Sequence, residues 1–161
     1  VEAVMLYVKH NGRYRLAEDE VVYEAYARLI ATKFQRGRQL ASPCDTEDFL
    51  IAQLQHKEEE HFGMVSLDNR HRILSYDVLF HGTIDNTTVY PRVLVRHALK
   101  INAAAVILAH NHPSGEAEPS DADRTITRRI RDALELVDIR LLDHLVVGSG
   151  RCISLAARGL L

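Results

Sequence analysis

Ala103-Ala-Ala-Val-Ile-Leu-Ala109 runs straight into His110-Asn-His112-Pro-Ser-Gly-Glu-Ala-Glu-Pro-Ser120-Asp-Ala-Asp123. An apolar run of seven is short enough for a buried strand. The polar stretch from Asn111 to Pro119, with two prolines and a glycine, predicts a loop. From Ser120 to Leu136 a helix is predicted, with Ile126, Ile130, Ala133, Leu134 and Val137 on one face.

Outward from this unit, Leu141 to Val147 and Cys152 to Leu155 predict two strands around a Gly148-Ser149-Gly150 turn. Upstream, residues 90–101 look helical. Phe62 to Leu67 and Ile73 to Leu79 predict strands joined by the turn-rich Asp68-Asn69-Arg70-His71. Asp45 to Gln55 predicts a short capped helix. Residues 18–40 predict another, with Glu18, Asp19 and Glu20 suiting its first turn and Val22, Ala25, Tyr26 and Leu29 at helical spacing. Val4 to Val8 and the pair Tyr14 and Leu16, separated by Asn11-Gly12, carry a hairpin signal. Strands and helices interleave, which predicts an α/β fold, an α+β sandwich. The stretch Ala41 to Asp45, holding Pro43, is the expected boundary between a hairpin-plus-helix extension (1–44) and the main domain (45–161).

Bulk composition narrows the class. A chain of 161 residues buries roughly two thirds of its unfolded surface and needs no disulfide or structural metal to fold. The net charge of −2 argues against bulk-charge binding to a phosphate backbone. Cys44 and Cys152 lie far apart and neither sits in a C-x-x-C pair, which excludes a cysteine-based zinc finger. With 9 His against 2 Cys, a metal site here has to use imidazole and carboxylate. No apolar run approaches the ~18 residues of a membrane span and no signal-peptide pattern opens the chain, so a cytoplasmic location is expected.

Alternate residues of an extended chain project to the same side, so His110 and His112 can converge on one ion. Asp123, in the first turn of the following helix, can add an oxygen. Two imidazoles and a carboxylate leave a fourth tetrahedral position for water, the pattern of a catalytic zinc. There is a plainer reading as well. A His-x-His pair often arises by chance, and Ser120-x-x-Asp123 is also a helix N-cap with its capping-box partner. The two readings are compatible, because one carboxylate oxygen can cap while the other ligates.

His-x-His, ten residues, then Asp, with Ser three before it, resembles the JAMM motif of JAB/MPN-type metalloproteases. The run His110-Asn-His-Pro-Ser-Gly115, then Pro119-Ser120, is similar to the RadC-like branch. So are Phe62 to Leu67 followed by Asp68, the stretch Pro91 to Ala109, and Leu142-Asp-His-Leu-Val-Val-Gly148. The likeness covers about residues 45–161. Residues 1–44 do not resemble the helix-hairpin-helix module that precedes the domain in full-length relatives, which suggests the short form. The resemblance implies a mixed sheet flanked by helices, of the JAB/MPN, cytidine-deaminase-like kind. It also implies zinc on His110, His112 and Asp123, and hydrolysis of an amide bond in a peptide or protein substrate. A Glu just before the first core strand is implied as proton carrier. Glu58, Glu59 and Glu60 adjoin there, and matching Glu-His-Phe puts the role on Glu60. Ser120 is implied to assist at the oxyanion.

Pro113 and Gly115 read as loop-shaping, and Asn111 points away from the ion on the strand reading. His144 reads as structural; His56, His61, His71, His81 and His97 read as surface or packing residues. Arg124, Arg128 and Arg131, with Arg129 beside them, form a stripe, and Arg28, Lys33, Arg36 and Arg38 a second basic cluster. Either is a solvated face or a contact for nucleic acid or an acidic peptide. These clusters, with the link between the RadC name and DNA repair, support an alternative in which the domain binds or processes DNA. The net charge and the absent module count against it. A zinc deaminase would need His-x-Glu and Pro-Cys-x-x-Cys, which this chain lacks.

Overall fold

Alternate residues of the strand that carries His110 point to opposite sides, and in the computed structural model both sides are covered by helices. The structure describes residues 5–40, 42–82 and 89–161. The elements are β1 (Tyr7–His10), β2 (Arg13–Leu16), α1 (Asp19–Lys33), α2 (Pro43–Leu54), β3 (His61–Leu67), β4 (Ile73–His81), α3 (Pro91–Lys100), β5 (Ala105–Asn111), α4 (Asp121–Glu135), β6 (Arg140–Val147) and β7 (Cys152–Ser154). Val4 and Ala41, assigned from sequence to the hairpin and the boundary, lie outside the described residues.

β1 and β2 pair as a separate hairpin, turned by Asn11 and Gly12 with φ of 48° and 78°. Both values are positive, as a tight two-residue hairpin turn requires. The main sheet has the order β4-β3-β5-β6-β7, with β5 and β6 parallel and the other neighbours antiparallel. This is the expected α/β architecture. The parallel pair needs a crossover, and α4 provides it.

Two apolar clusters fill the two faces. Phe62 and Met64 of β3 and Val106 and Leu108 of β5 pack with Leu94 and Ala98 of α3 and Ile130 and Leu134 of α4. The intervening Val65, Leu67, Ile107 and Ala109 pack with Leu145 and Val147 against Phe49, Leu50 and Leu54 of α2. Ile30 and Phe34, at the end of α1, join this second cluster, and the Phe34 and Phe49 rings stack with centroids 3.7 Å apart. Among the described residues, no helix is long and apolar enough to cross a membrane.

Two expected boundaries need correction. The first helix ends at Lys33 with Phe34 as its C-cap, well before residue 40. Past it, Gly37 (φ 84°) turns the chain onto the outer edge of the sheet. There the Gly37 N–H donates to the Ile73 carbonyl (2.7 Å), and the Ile73 N–H donates to the Arg38 carbonyl (2.9 Å). Those strand-edge bonds displace the last helical turns, so Arg28, Arg36 and Arg38 do not share one helix face. The second correction concerns β5, which runs two residues beyond Ala109. Here His110 and Asn111 pair with Val146 and Val147 of β6.

Cys44 is exposed, whereas Cys152 is half-buried. Burial, with the Glu47 and Asp143 charges nearby, pushes the Cys152 thiol up to about 12. Reactivity follows the thiolate. A disulfide-exchange reagent at neutral pH is therefore expected to titrate about one thiol per native chain quickly, and the second only on unfolding. Equal fast reaction of both thiols would contradict this environment for Cys152.

Candidate metal centre

His110 is fully buried at the end of β5 and shares a face with Phe62, the residue paired with it on β3; the two rings lie nearly parallel, 5.9 Å apart. His112 follows just past the strand, held by its N–H to the Val147 carbonyl (2.9 Å). The loop beyond it is clamped to the β6–β7 turn. The Ser149 N–H donates to the Gly115 carbonyl (2.9 Å), and a Cβ at Gly148 would lie 2.8 Å from the Ala117 nitrogen. Glycine at 148 is what lets the loop lie flush. Arg151–Glu116 and Arg158–Glu118 ion pairs tie the same loop to the C-terminal segment.

The loop delivers Ser120 as N-cap of α4 and Asp123 as its N3 residue. The Ser120 N–H donates to Asp123 Oδ2 (2.7 Å), and the Asp123 N–H donates to Ser120 Oγ (3.1 Å), a complete capping box. The Ser120 hydroxyl also lies 2.6 Å from Asp123 Oδ2, to which it gives its proton. The other oxygen, Oδ1, faces His110 Nε2 at 3.2 Å, so capping and convergence do coexist in one carboxylate. His112 Nε2 lies 3.4 Å from Oδ2 and 3.0 Å from His110 Nε2.

Among the described residues, this is where metal-ligating side chains converge: ligand atoms of His110, His112 and Asp123 all lie within 4.8 Å of one another. Donors on a tetrahedral ion with bonds of about 2.0–2.1 Å are about 3.3 Å apart, so the observed separations fit one ion. Ring chemistry agrees. The Glu116 carbonyl lies 2.7 Å from His112 Nδ1 and can only accept, so Nδ1 carries a proton and the neutral ring aims a lone pair from Nε2 at the cluster. The His110 side chain is 1% exposed, against 21% for His112 and 14% for Asp123, so the cluster opens on the His112 side.

Electrostatics favour the ligand form of the acid. Burial alone pushes the Asp123 carboxyl up, but contact with the His110 and His112 rings and with the Ser120 hydroxyl holds it far below the usual carboxylate range. Contact with the Asp123 carboxylate raises His112 against the opposing effect of burial, with further help from the Glu116 carbonyl and the Asp123 and Glu60 charges. Glu60 is thus within electrostatic reach of His112. It immediately precedes β3, and extending the Phe62–His110 register by two residues puts it opposite His112. Its carbonyl accepts from the Gly82 N–H (2.8 Å).

With this geometry in view, the chain's class is clear: it belongs to the RadC-like JAB domain family, whose model matches residues 40–160. The particular proteins it resembles are bacterial and carry the name UPF0758 protein. One from Stutzerimonas stutzeri (strain A1501) is 51% identical over 148 residues, 92% of this chain and 66% of that protein. One from Marinobacter nauticus is 52% identical over 156 residues, 97% of this chain and 70% of that protein. A third, from Halorhodospira halophila, is 52% identical over 150 residues, 93% and 67% of the two chains. The chain spans about two thirds of the length of these curated relatives.

Sequence reasoning undervalued two residues. Asn111 does point away from the cluster, but its side chain is far from idle. Its Oδ1 accepts from the His61 N–H (2.8 Å), and its Nδ2 donates to the Lys57 (3.2 Å) and Glu59 (3.0 Å) carbonyls. One buried amide thereby holds the segment on both sides of Glu60 against the strand that carries His110. His144, read from sequence as structural, lies beside the candidate ligands, with its Nε2 2.8 Å from His110 Nδ1. It is completely buried, and burial above all holds it well below the usual imidazole range. It is therefore neutral. In the arginine stripe, Arg124 pairs with Asp121 and Arg131 with Asp132 and Glu135.

Asn111→Ala leaves one donor and two acceptors without this partner, and each costs about 1–3 kcal/mol if it stays dry. Hydrogen exchange should therefore accelerate in residues 57–61 while β5 and β6 stay protected. Unchanged exchange at the His61 amide would show that Asn111 does not anchor this segment.

Proposed function

We propose that this chain is a zinc-dependent hydrolase of amide bonds, acting on a peptide or an isopeptide-linked protein. The observation that carries the reading is the convergence of His110, His112 and Asp123 at a rigid strand end, open on one side. Two nitrogens and one oxygen suit zinc among the common divalent ions. When bound, the ion supplies Lewis acidity, making water nucleophilic at neutral pH and polarising a carbonyl.

The protein's own groups supply the rest. Glu60 takes a proton from the attacking water and later delivers it to the leaving amine. Its position opposite His112, on a segment fastened by Asn111, supports that role. Ser120 orients Asp123 in the resting state. Its proton is committed to Asp123 Oδ2, so helping an oxyanion requires its hydroxyl to rotate when substrate arrives.

Elemental analysis of protein purified without a His tag tests the reading. About one zinc per chain is expected in the wild type, none in His110→Ala/His112→Ala, and retained zinc with lost peptide or isopeptide hydrolysis in Glu60→Gln. A folded wild type that neither contains zinc nor takes it up would sink the proposal.

A further inference from the structure

Beside the candidate ligands runs a chain of buried contacts that the proposed hydrolysis does not use. His110 Nδ1 lies 2.8 Å from His144 Nε2, His144 Nδ1 lies 2.6 Å from Thr127 Oγ1, and Thr127 Oγ1 lies 2.5 Å from the Asp123 carbonyl oxygen. His110, His144 and Thr127 are all fully buried, so no solvent competes for these bonds.

The protons in this chain can be placed one at a time. A carbonyl oxygen has no proton, so the contact between Thr127 and Asp123 uses the threonine's only one. Thr127 Oγ1 must then accept from His144, which places the His144 proton on Nδ1. The neutral His144 ring consequently has a bare Nε2, and its contact with His110 requires a proton on His110 Nδ1. In the neutral His110 ring, Nε2, facing Asp123 and His112, is then the atom with the lone pair.

We infer that Thr127 and His144 are positioning residues that set the ring tautomer of His110, so that its Nε2 is presented as a metal ligand. The circuit starts and ends on one residue. The main-chain carbonyl of Asp123 orders the tautomer of the imidazole that its own carboxylate faces. Hydrogen-bond partners behind a ligating histidine commonly serve this purpose. What is particular here is that the partner is a second imidazole, whose own tautomer has to be chosen by a threonine. The consequence for metal affinity rests on the zinc reading above, whereas the proton placement does not.

The test is a long-range proton–nitrogen correlation spectrum of metal-free protein, recorded well above the imidazole titration range, together with zinc affinity. In the wild type, Nδ1 of both His110 and His144 should be protonated and both Nε2 atoms bare. Thr127→Val keeps the shape but removes the acceptor. It should give averaged nitrogen shifts for both rings and a zinc Kd raised about 10- to 100-fold, whereas Thr127→Ser should restore wild-type values. A wild-type His144 protonated at Nε2, or Thr127→Val with unchanged shifts, would overturn the inference. A wild type that takes up no zinc would instead defeat the metal reading, and the same spectrum would still decide the proton placement.

Discussion

The end of β5 is held from both sides, and the candidate centre depends on that restraint. β3 runs antiparallel along one edge and β6 parallel along the other, so His110 is fixed by two ladders at once. A strand in the middle of a sheet cannot shift register by one residue without sending its apolar set to the wrong face. On β5 such a slip would also put Ala109 or Asn111 in the place of His110. The alternation that builds two cores therefore also sorts function. Even positions carry His110 toward α4 and Asp123, and the odd position carries Asn111 toward the segment that bears Glu60.

The second constraint is the cost of burying polar groups. His110, Asn111, Thr127 and His144 are all at or near zero exposure, and dry polar groups are tolerated only with partners. Each of the four has them, and the partners lead back to the cluster or to the Glu60 segment. A fully satisfied buried network is rigid, and a rigid backing suits ligands that must stay in place whether or not a cation is bound. The open side falls on His112 and Asp123.

The supporting loop shows how little freedom the arrangement leaves. Residues between His112 and Ser120 are bound to the β6–β7 turn by the Ser149–Gly115 main-chain hydrogen bond, by the absence of a side chain at Gly148 and by the Arg151–Glu116 pair, and to the C-terminal segment by the Arg158–Glu118 pair. Ser120 then starts α4 at a defined point, and the capping box fixes the Asp123 rotamer. A common helix-start motif becomes part of the candidate metal centre because of where the loop puts it.

Much of this was legible without coordinates. Apolar periodicity announced the strands and helices, and the short run Ala103–Ala109 identified a buried strand, because those signals are local. The spacing of His110, His112 and Asp123 was legible for the same reason: strand, loop and helix follow one another along the chain. Three things were not. The premature end of α1 depends on hydrogen bonds to β4, some 35 residues away in sequence. The anchoring role of Asn111 depends on partners 50 to 54 residues distant. The contact of His144 with His110 spans 34 residues and exists only because β6 lies parallel to β5. The sequence by itself determined which side chains are the candidate ligands and which elements carry them, through local periodicity and spacing. Only the tertiary structure decided which buried groups stand behind those ligands, because strand pairing brings together residues whose separation along the chain carries no signal.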